Sequence, residues 1–296
     1  MTLRNWLLLV LLSILWGGTF FFVAIALPEV PPLTLVLARC VIAALALVPI
    51  LLALGFKFPS TRTAWRDFAV MAVLNNIIPF TLIFFGQKVV PSGLAAVFNA
   101  TTPLMSLLVM RFFVGEVWTA NKLAGVLIGL AGVAILVGPD AFSGASSASV
   151  LGMLAILGGT LSYGFSGLWG RRLKAYPAPV SAGSQLLCSS ILLLPLAAAA
   201  DQFWTLPIPS LGVLLAMLAL GILSTAIAYI LFFEIMRSAG ALNVMLVTLL
   251  IPFTSISLGA LYLGETLNLH QIGGAVVIGL SLLVIDGRLF GVKPPA

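Results

Sequence analysis

Charge is what this sequence has least of. Asp, Glu, Lys and Arg make up only 7% of its 296 residues, against about 25% in soluble domains, which excludes a globular enzyme in water. Disorder is excluded as well, because a disordered chain is poor in apolar residues and this one is 61% apolar, with a mean hydropathy of +1.23. A single histidine, His270, and two cysteines, Cys40 and Cys188, give neither a metal-ligand spacing nor a disulfide framework. Both cysteines lie within apolar runs and read as buried free thiols. No G-x-x-x-x-G-K-[ST] loop is present to cradle a nucleotide phosphate, so a pump driven by ATP on this chain is excluded. No cofactor or metal is expected. The net charge of +6 would point to nucleic acid in a soluble protein. Basic loops on the cytoplasmic side of a membrane explain it instead, so no nucleic-acid partner is expected.

What is there is apolar length. A spanning helix needs about 20 mainly apolar residues, and runs between breakers predict ten spans, near 4–27, 32–55, 67–86, 91–112, 121–139, 150–171, 178–199, 211–236, 240–263 and 271–290. The first run, Trp6 to Leu27 after Arg4, is too long for a signal-peptide core of about 7–15 residues. The breakers are turn chemistry: Pro28 with Pro31-Pro32, Pro59-Ser60, Pro91-Ser92-Gly93, Pro139-Asp140, Pro177 with Pro179, and Pro207 with Pro209. Alternate connections hold Arg4; Lys57, Arg62 and Arg66; Arg111 and Lys122; Arg171, Arg172 and Lys174; Arg237; Arg288 and Lys293. These are twelve of the 14 basic residues. The opposite set holds Lys88 alone, and Arg39 lies within the second span. The asymmetry puts both termini in the cytoplasm. The expected fold is an all-α integral membrane protein, multi-pass in the cytoplasmic (inner) membrane.

The chain also repeats itself. A shift of 147 residues lays Trp16-Gly17 on Tyr163-Gly164, Pro32 on Pro179 and Ser92-Gly93 on Ala239-Gly240. After a slip of two, Pro103 falls on Pro252, Gly115-Glu116 on Gly264-Glu265, and Gly125 on Gly274. Each half holds five spans. Five is odd, so the second half crosses the membrane in the opposite sense, an inverted repeat of the kind many secondary transporters use. The expected organisation is a first repeat over 1–142, a polar linker over 143–149, and a second repeat over 150–296.

Leu15-Trp16-Gly17, Pro31-Pro32-Leu33-Thr34 and Arg39 resemble the start of an EamA-type member of the drug/metabolite transporter superfamily. Thr102-Pro103-Leu104 with Gly115-Glu116, and Ile251-Pro252 with Leu261-Tyr262-Leu263-Gly264-Glu265, are similar to its fourth and ninth helices. The resemblance covers essentially the whole chain. It implies ten helices in two inverted five-helix EamA repeats around a central cavity. It also implies export of amino acids, metabolites or toxic organic compounds, with YddG-type members favouring aromatic amino acids.

Polar side chains in lipid must face the bundle interior or a cavity, which selects candidates for substrate binding. The third span carries Asn75 and Asn76, with Pro79 and Phe80 following. The fourth carries Asn99, Thr102, Pro103 and Ser106, predicted to share one helical face. Thr225 and Tyr229 pair at i,i+4 on the eighth, and Thr248, Pro252 and Ser255 repeat the face pattern on the ninth. Trp16 and Tyr163 hold matching repeat positions, beside Thr19 and Ser166. The alternative reading of each Ser, Thr and Asn is glue between helices. Aromatic walls with a few placed polar groups suit a flat, mostly apolar solute. Pro103 and Pro252 are expected to kink their helices and serve as hinges, or as static packing kinks. Arg39, about 10 Å deep at 1.5 Å per residue, either snorkels, binds a substrate carboxylate, or has a structural role. Glu116 and Glu265 are expected to cap helix ends or form gating contacts, and Glu234 to pair with Arg237 at i,i+3. No carboxylate falls at a span midpoint.

An intramembrane protease is the rival from another class, since Gly164-Phe165-Ser166-Gly167 matches GxSG. A serine nucleophile needs a base within hydrogen-bond reach, and His270 is expected at the outer end of the tenth span, about 20 Å from Ser166 in depth. An enzyme is therefore not expected. The function expected is export of small organic solutes, aromatic amino acids foremost, by alternating access. Hydrophobic cations, other neutral metabolites and a pore-type facilitator remain as alternatives. The expected partners are a small-molecule substrate and the lipid bilayer, with the chain a monomer or weak homodimer.

Overall fold

The computed structural model describes residues 2–137, 147–240, 244 and 246–286. Linker residues 143–146, together with Arg288 and Lys293, lie outside the described residues, as do residues 241–243 and 245 of the ninth expected span. The described chain is helical, without strands: α1 (Leu3–Ala26), α2 (Pro32–Ala53), α3 (Arg62–Ala72), α4 (Ile78–Gln87), α5 (Ser92–Asn99), α6 (Thr102–Val114), α7 (Ala120–Val137), α8 (Ser147–Trp169), α9 (Ala178–Asp201), α10 (Leu211–Gly221), α11 (Ala228–Ala239), α12 (Val247–Leu263) and α13 (Leu269–Asp286). Seven rods are long and apolar enough to cross a membrane, three of them built from paired segments: Arg62–Gln87, Ser92–Val114 and Leu211–Ala239. The apolar helices over Ala120–Leu136, Val247–Leu263 and Leu269–Ile285 are shorter. Large apolar side chains such as Leu45 (70% exposed) and Ile191 (69%) cover the outside of the bundle, where hydrocarbon rather than water would meet them.

Local chemistry sets the ends. Thr2, Thr61 and Ser210 accept hydrogen bonds from the backbone N–H groups of Asn5, Ala64 and Val213, which satisfies donors that a helix start leaves orphaned. Pro32 and Pro179 lie in first turns, where no N–H is missed. Gly115 and Gly264 end α6 and α12 in the left-handed region, at φ 73° and 67°. The next residue's N–H turns back to a carbonyl six positions earlier, Glu116 to Met110 and Glu265 to Gly259, so the left-handed glycine lets the chain satisfy a carbonyl of the last turns.

Three expected helices are interrupted. α3 and α4 join through a π-helical turn, Val73–Ile77, just before Pro79, which has no N–H to give the carbonyl four residues back. α10 and α11 join through another, Ile222–Ile227, in which the Thr225 hydroxyl donates to the Leu220 carbonyl at 2.8 Å. The α5–α6 rod breaks at Ala100–Thr101, so Pro103 starts a new helix rather than kinking a continuous one. Pro252, its counterpart, does sit inside α12.

Contacts between the halves are reciprocal. A Cβ on Gly17 would lie 2.6 Å from the Thr254 Cβ, and one on Gly164 3.1 Å from the Met105 carbonyl. Residues 17 and 164 differ by 147 and residues 105 and 254 by 149, the two offsets of the internal repeat. Likewise a Cβ on Gly125 would overlap the Ile285 side chain, and one on Gly274 would lie 2.6 Å from the Leu136 backbone nitrogen. Such i-to-j and j-to-i pairing is what a two-fold axis between similar halves produces. Glycine at these positions lets backbones approach more closely than any side chain would permit.

The two ends of the bundle differ. At the end opposite the chain start, hereafter the far end, three carboxylates each bind the start of a helix in the other half. Asp201 accepts from Thr34 N and Oγ1, both at 2.8 Å. Glu29 accepts from Ser210 N at 2.6 Å and Oγ at 2.7 Å. Glu265 accepts from Ser92 N at 2.7 Å, Ser92 Oγ at 2.9 Å and Gly93 N at 3.0 Å. Each puts negative charge at a positive helix end. At the near end Glu116 instead pairs with Lys122 of its own half at 2.6 Å. Glu234 does bind Arg237 there, and also Arg4.

Candidate functional site

Between the halves lies a cavity of about 1100 Å³. Its wall runs from the middle of the bundle to the near end and includes Gly170, Lys174 and Ala178 at the α8–α9 connection, but, among the described residues, none of the far-end connections. Trp16, Asn75, Phe80, Asn99, Thr102, Tyr163, Thr225, Tyr229 and Thr248 all line it, as do Pro103, Ser106, Thr19 and Ser166.

Asn76 does not line it. The residue is wholly buried and its side-chain amide donates to Ser189 Oγ on α9 at 2.9 Å, because neighbours on a helix point about 100° apart and Asn75 takes the cavity side. Nor does Pro252. Ser255, also expected on that face, is buried and donates to the Ser92 carbonyl at 3.0 Å, helix-to-helix glue of the kind that competes with the substrate reading.

The polar side chains form a network rather than isolated points. Asn75 Nδ2 donates to Gln185 Oε1 at 2.9 Å, and its Oδ1 accepts from Ser166 Oγ at 3.0 Å. That hydroxyl also donates to the Tyr163 carbonyl at 2.8 Å. One amide thus ties α8 and α9 to the π turn of the α3–α4 rod, and it orients Ser166 toward acceptors, not toward a base. The second π turn does the reciprocal work: Thr225 accepts from Arg39 Nε of α2 at 3.0 Å. In each half, then, a π turn in one rod bonds the second helix of the other half. π turns are frequent at functional sites.

Aromatic rings supply the rest of the wall. Trp16 lies 5.5 Å from Phe232, Tyr229 stacks on Phe233 at 5.9 Å, and Phe80 on Phe84 at 6.4 Å. Two wall oxygens, Asn99 Oδ1 and Ser224 Oγ, have no hydrogen-bond partner among the described residues. Arg39, for which carboxylate binding is one of three readings, lines the wall; Gln185 and Ser224 enter it without having been singled out. Gln185, an amide in an apolar run, carried the same signal as Asn75. No cluster of metal-binding side chains occurs among the described residues.

Comparison with known proteins agrees with this architecture. The model of the EamA-like transporter family matches residues 4–138 and again 150–286. The chain is 29% identical over 289 residues to "Uncharacterized inner membrane transporter YedA" of Escherichia coli K12, covering 96% of this chain and 91% of that one. It is 28% identical to "Protein PecM" of Dickeya dadantii, over 94% and 93% of the two chains. It is 24% identical to a "Probable amino-acid metabolite efflux pump" of Escherichia coli K12, over 99% and 97%. A solved crystal structure shares the fold at a TM-score of 0.66, with 22% identity over 94% of this chain and 96% of that one. The apolar helices and these relatives make the chain a multi-pass inner-membrane protein. With both halves matched, it belongs to the EamA-like transporter family.

Proposed function

We propose that the chain exports small organic solutes, aromatic amino acids foremost, by alternating access as a secondary transporter. The observation that carries this reading is the cavity between the halves, walled by aromatic rings and amides, whose described lining extends to the near end. A pocket of stacked rings with a few fixed polar groups suits a flat solute with a polar end. The amino-acid metabolite efflux named for one relative supports the same class of cargo.

In this reading ten spans form two inverted repeats, 1–142 and 150–296, joined by the linker 143–149, with both termini in the cytoplasm as the basic loops require. The near end then faces the cytoplasm, and the three far-end carboxylate caps hold the outer side shut. Exchange of near-end for far-end contacts between similar halves gives the second state. The α5–α6 break before Pro103 and the helix at Pro252 are the points that flex. The chain acts as a monomer or weak homodimer.

The test is counterflow of labelled phenylalanine and tryptophan in proteoliposomes, with unlabelled threonine, lysine and methyl viologen as competitors. Saturable uptake competed by aromatic amino acids is the expected result. Linear flux would make the chain a pore. Flux absent from folded protein would overturn the aromatic assignment.

A further inference from the structure

Arg39 sits seven residues into α2, buried to 6% exposure, yet it lines the cavity. Its Nε donates to Thr225 Oγ1 at 3.0 Å, and Thr225 is itself fixed by donating to Leu220 O. The guanidinium lies over the Phe80 ring, 3.8 Å from its centroid. Ring and hydroxyl together hold the group flat and in one orientation. Its two Nη groups donate to nothing among the described residues.

The charge has no counter-ion there either. Glu29, Glu265 and Asp201 bind helix starts at the far end, Glu234 and Glu116 pair at the near end, and Asp67 lies beside Arg66. Among the described residues, Arg39 and Lys174 are the charged ones of the cavity wall and none is acidic. A buried cation without a partner is costly, and ionisable groups inside a membrane protein mark substrate paths. A guanidinium whose Nε side is clamped presents its free edge as a two-pronged donor, the geometry that matches a carboxylate.

Resting on the cavity as the transport site, we infer that Arg39 anchors the carboxylate of the transported solute, and that the site takes carboxylates, zwitterionic or anionic, and rejects organic cations. The ring of an aromatic substrate then lies along Tyr163, Tyr229 and Phe80, with its carboxylate at Arg39. An ammonium group is met by amide and hydroxyl oxygens such as Asn99 Oδ1, since no acid is at hand. Hydrophobic cations find a wall of like charge.

The test uses purified wild-type protein and pairs of solutes that differ only in the carboxylate: phenylalanine and phenylalaninamide, leucine and leucinamide, 3-phenylpropionate and its amide. Binding is read as ligand-induced thermal stabilisation. The carboxylate member of at least one pair should bind, and its amide should need roughly 10- to 100-fold more ligand, as for loss of charge-assisted hydrogen bonds. R39Q should erase the difference within a pair, and R39K should keep part of it. Removing a buried charge that has no counter-ion among the described residues relieves its desolvation cost, which offsets the lost bond to Thr225, so R39M should fold with an unchanged or higher Tm. Equal binding of carboxylate and amide by the wild type would overturn the assignment whatever the variants do. So would preference for phenethylamine, discrimination retained by R39Q, or no carboxylate of the panel binding. Leucine binding without phenylalanine would overturn the aromatic reading and leave Arg39 as the anchor; phenylalanine and its amide binding alike would do the reverse.

Discussion

Replacing Glu265 by Gln should open the far end. In the structure this carboxylate accepts three hydrogen bonds, from Ser92 N, Ser92 Oγ and Gly93 N, and Gly259 makes room for it, since a Cβ there would overlap the carboxylate. The amide keeps one acceptor oxygen but turns N–H groups toward donors, so one or two bonds are lost with the charge at the α5 start. Loss of a helix cap costs about 0.5–2 kcal/mol and loss of charge at a helix start about 0.3–1 kcal/mol. Glu265 is half-buried, so a total of about 2 kcal/mol is reasonable, or roughly 30-fold in the ratio of far-closed to far-open protein. The assay is labelling of Phe20→Cys by a membrane-impermeant maleimide from the outer face, in a background with Cys40 and Cys188 replaced. Phe20 lines the cavity and is 4% exposed, so labelling should be slow in the parent and at least tenfold faster with E265Q. Equal rates would refute the idea that these caps hold the far end closed.

Three further outcomes follow from the structure. Gly17→Val and Gly164→Val place side chains where a Cβ already meets Thr254 and Met105. Overpacking costs about 1–3 kcal/mol, and both should lower Tm in detergent, with the Gly17 variant affected more because its approach is closer. Asn76→Ala removes a buried bond to Ser189 and should lower stability by about 1–3 kcal/mol while leaving the substrate KM unchanged. Asn99→Ala, on the cavity wall, should raise KM and leave Tm in place; steady-state exchange and thermal melts on both proteins decide this. Glu29 is held below the ordinary carboxylate value of 4.5 by hydrogen bonds from the Ser210 backbone and side chain. A depressed pKa contributes stability that is complete above the unfolded value and is lost as pH falls through the lower folded one. Normalised to an exposed control cysteine, which corrects for the loss of thiolate in acid, outer-face labelling of Phe20→Cys should therefore rise below about pH 4.5, less so in Glu29→Gln.

Much of this was legible because lipid simplifies the code. Apolar runs, Pro-Ser and Pro-Gly breakers, and basic loops mark rods whatever their packing, and the 147 and 149 offsets already paired Gly17 with Gly164 and Gly125 with Gly274 before any contact was seen. The Gly-Glu pairs read correctly as helix ends, since a left-handed glycine and the backbone bond that follows it are local events. What stayed hidden depends on rotation and on the partner half. A π turn leaves the apolar pattern of a rod almost unchanged, so Val73–Ile77 and Ile222–Ile227 read as plain helix. Asn75 and Asn76 are chemically identical in the sequence and differ only in which way each faces. The depth of Arg39 could be counted, but whether it met an acid, the lipid surface or a cavity depended on α4 and α10–α11. Glu265 finds Ser92 in the other half while Glu116 finds Lys122 in its own, a difference between the two ends that no sequence pattern encodes.

The central claim is that the cavity between the halves holds the solute and is reached from one side at a time. Its most direct test is labelling of Asn99→Cys, in a background with Cys40 and Cys188 replaced, by an impermeant maleimide applied to inside-out and to right-side-out vesicles. The account predicts rapid labelling from the cytoplasmic side, slow labelling from the outside, and protection by a transported amino acid. Equal labelling from both sides, unaffected by any solute that the protein carries, would contradict it.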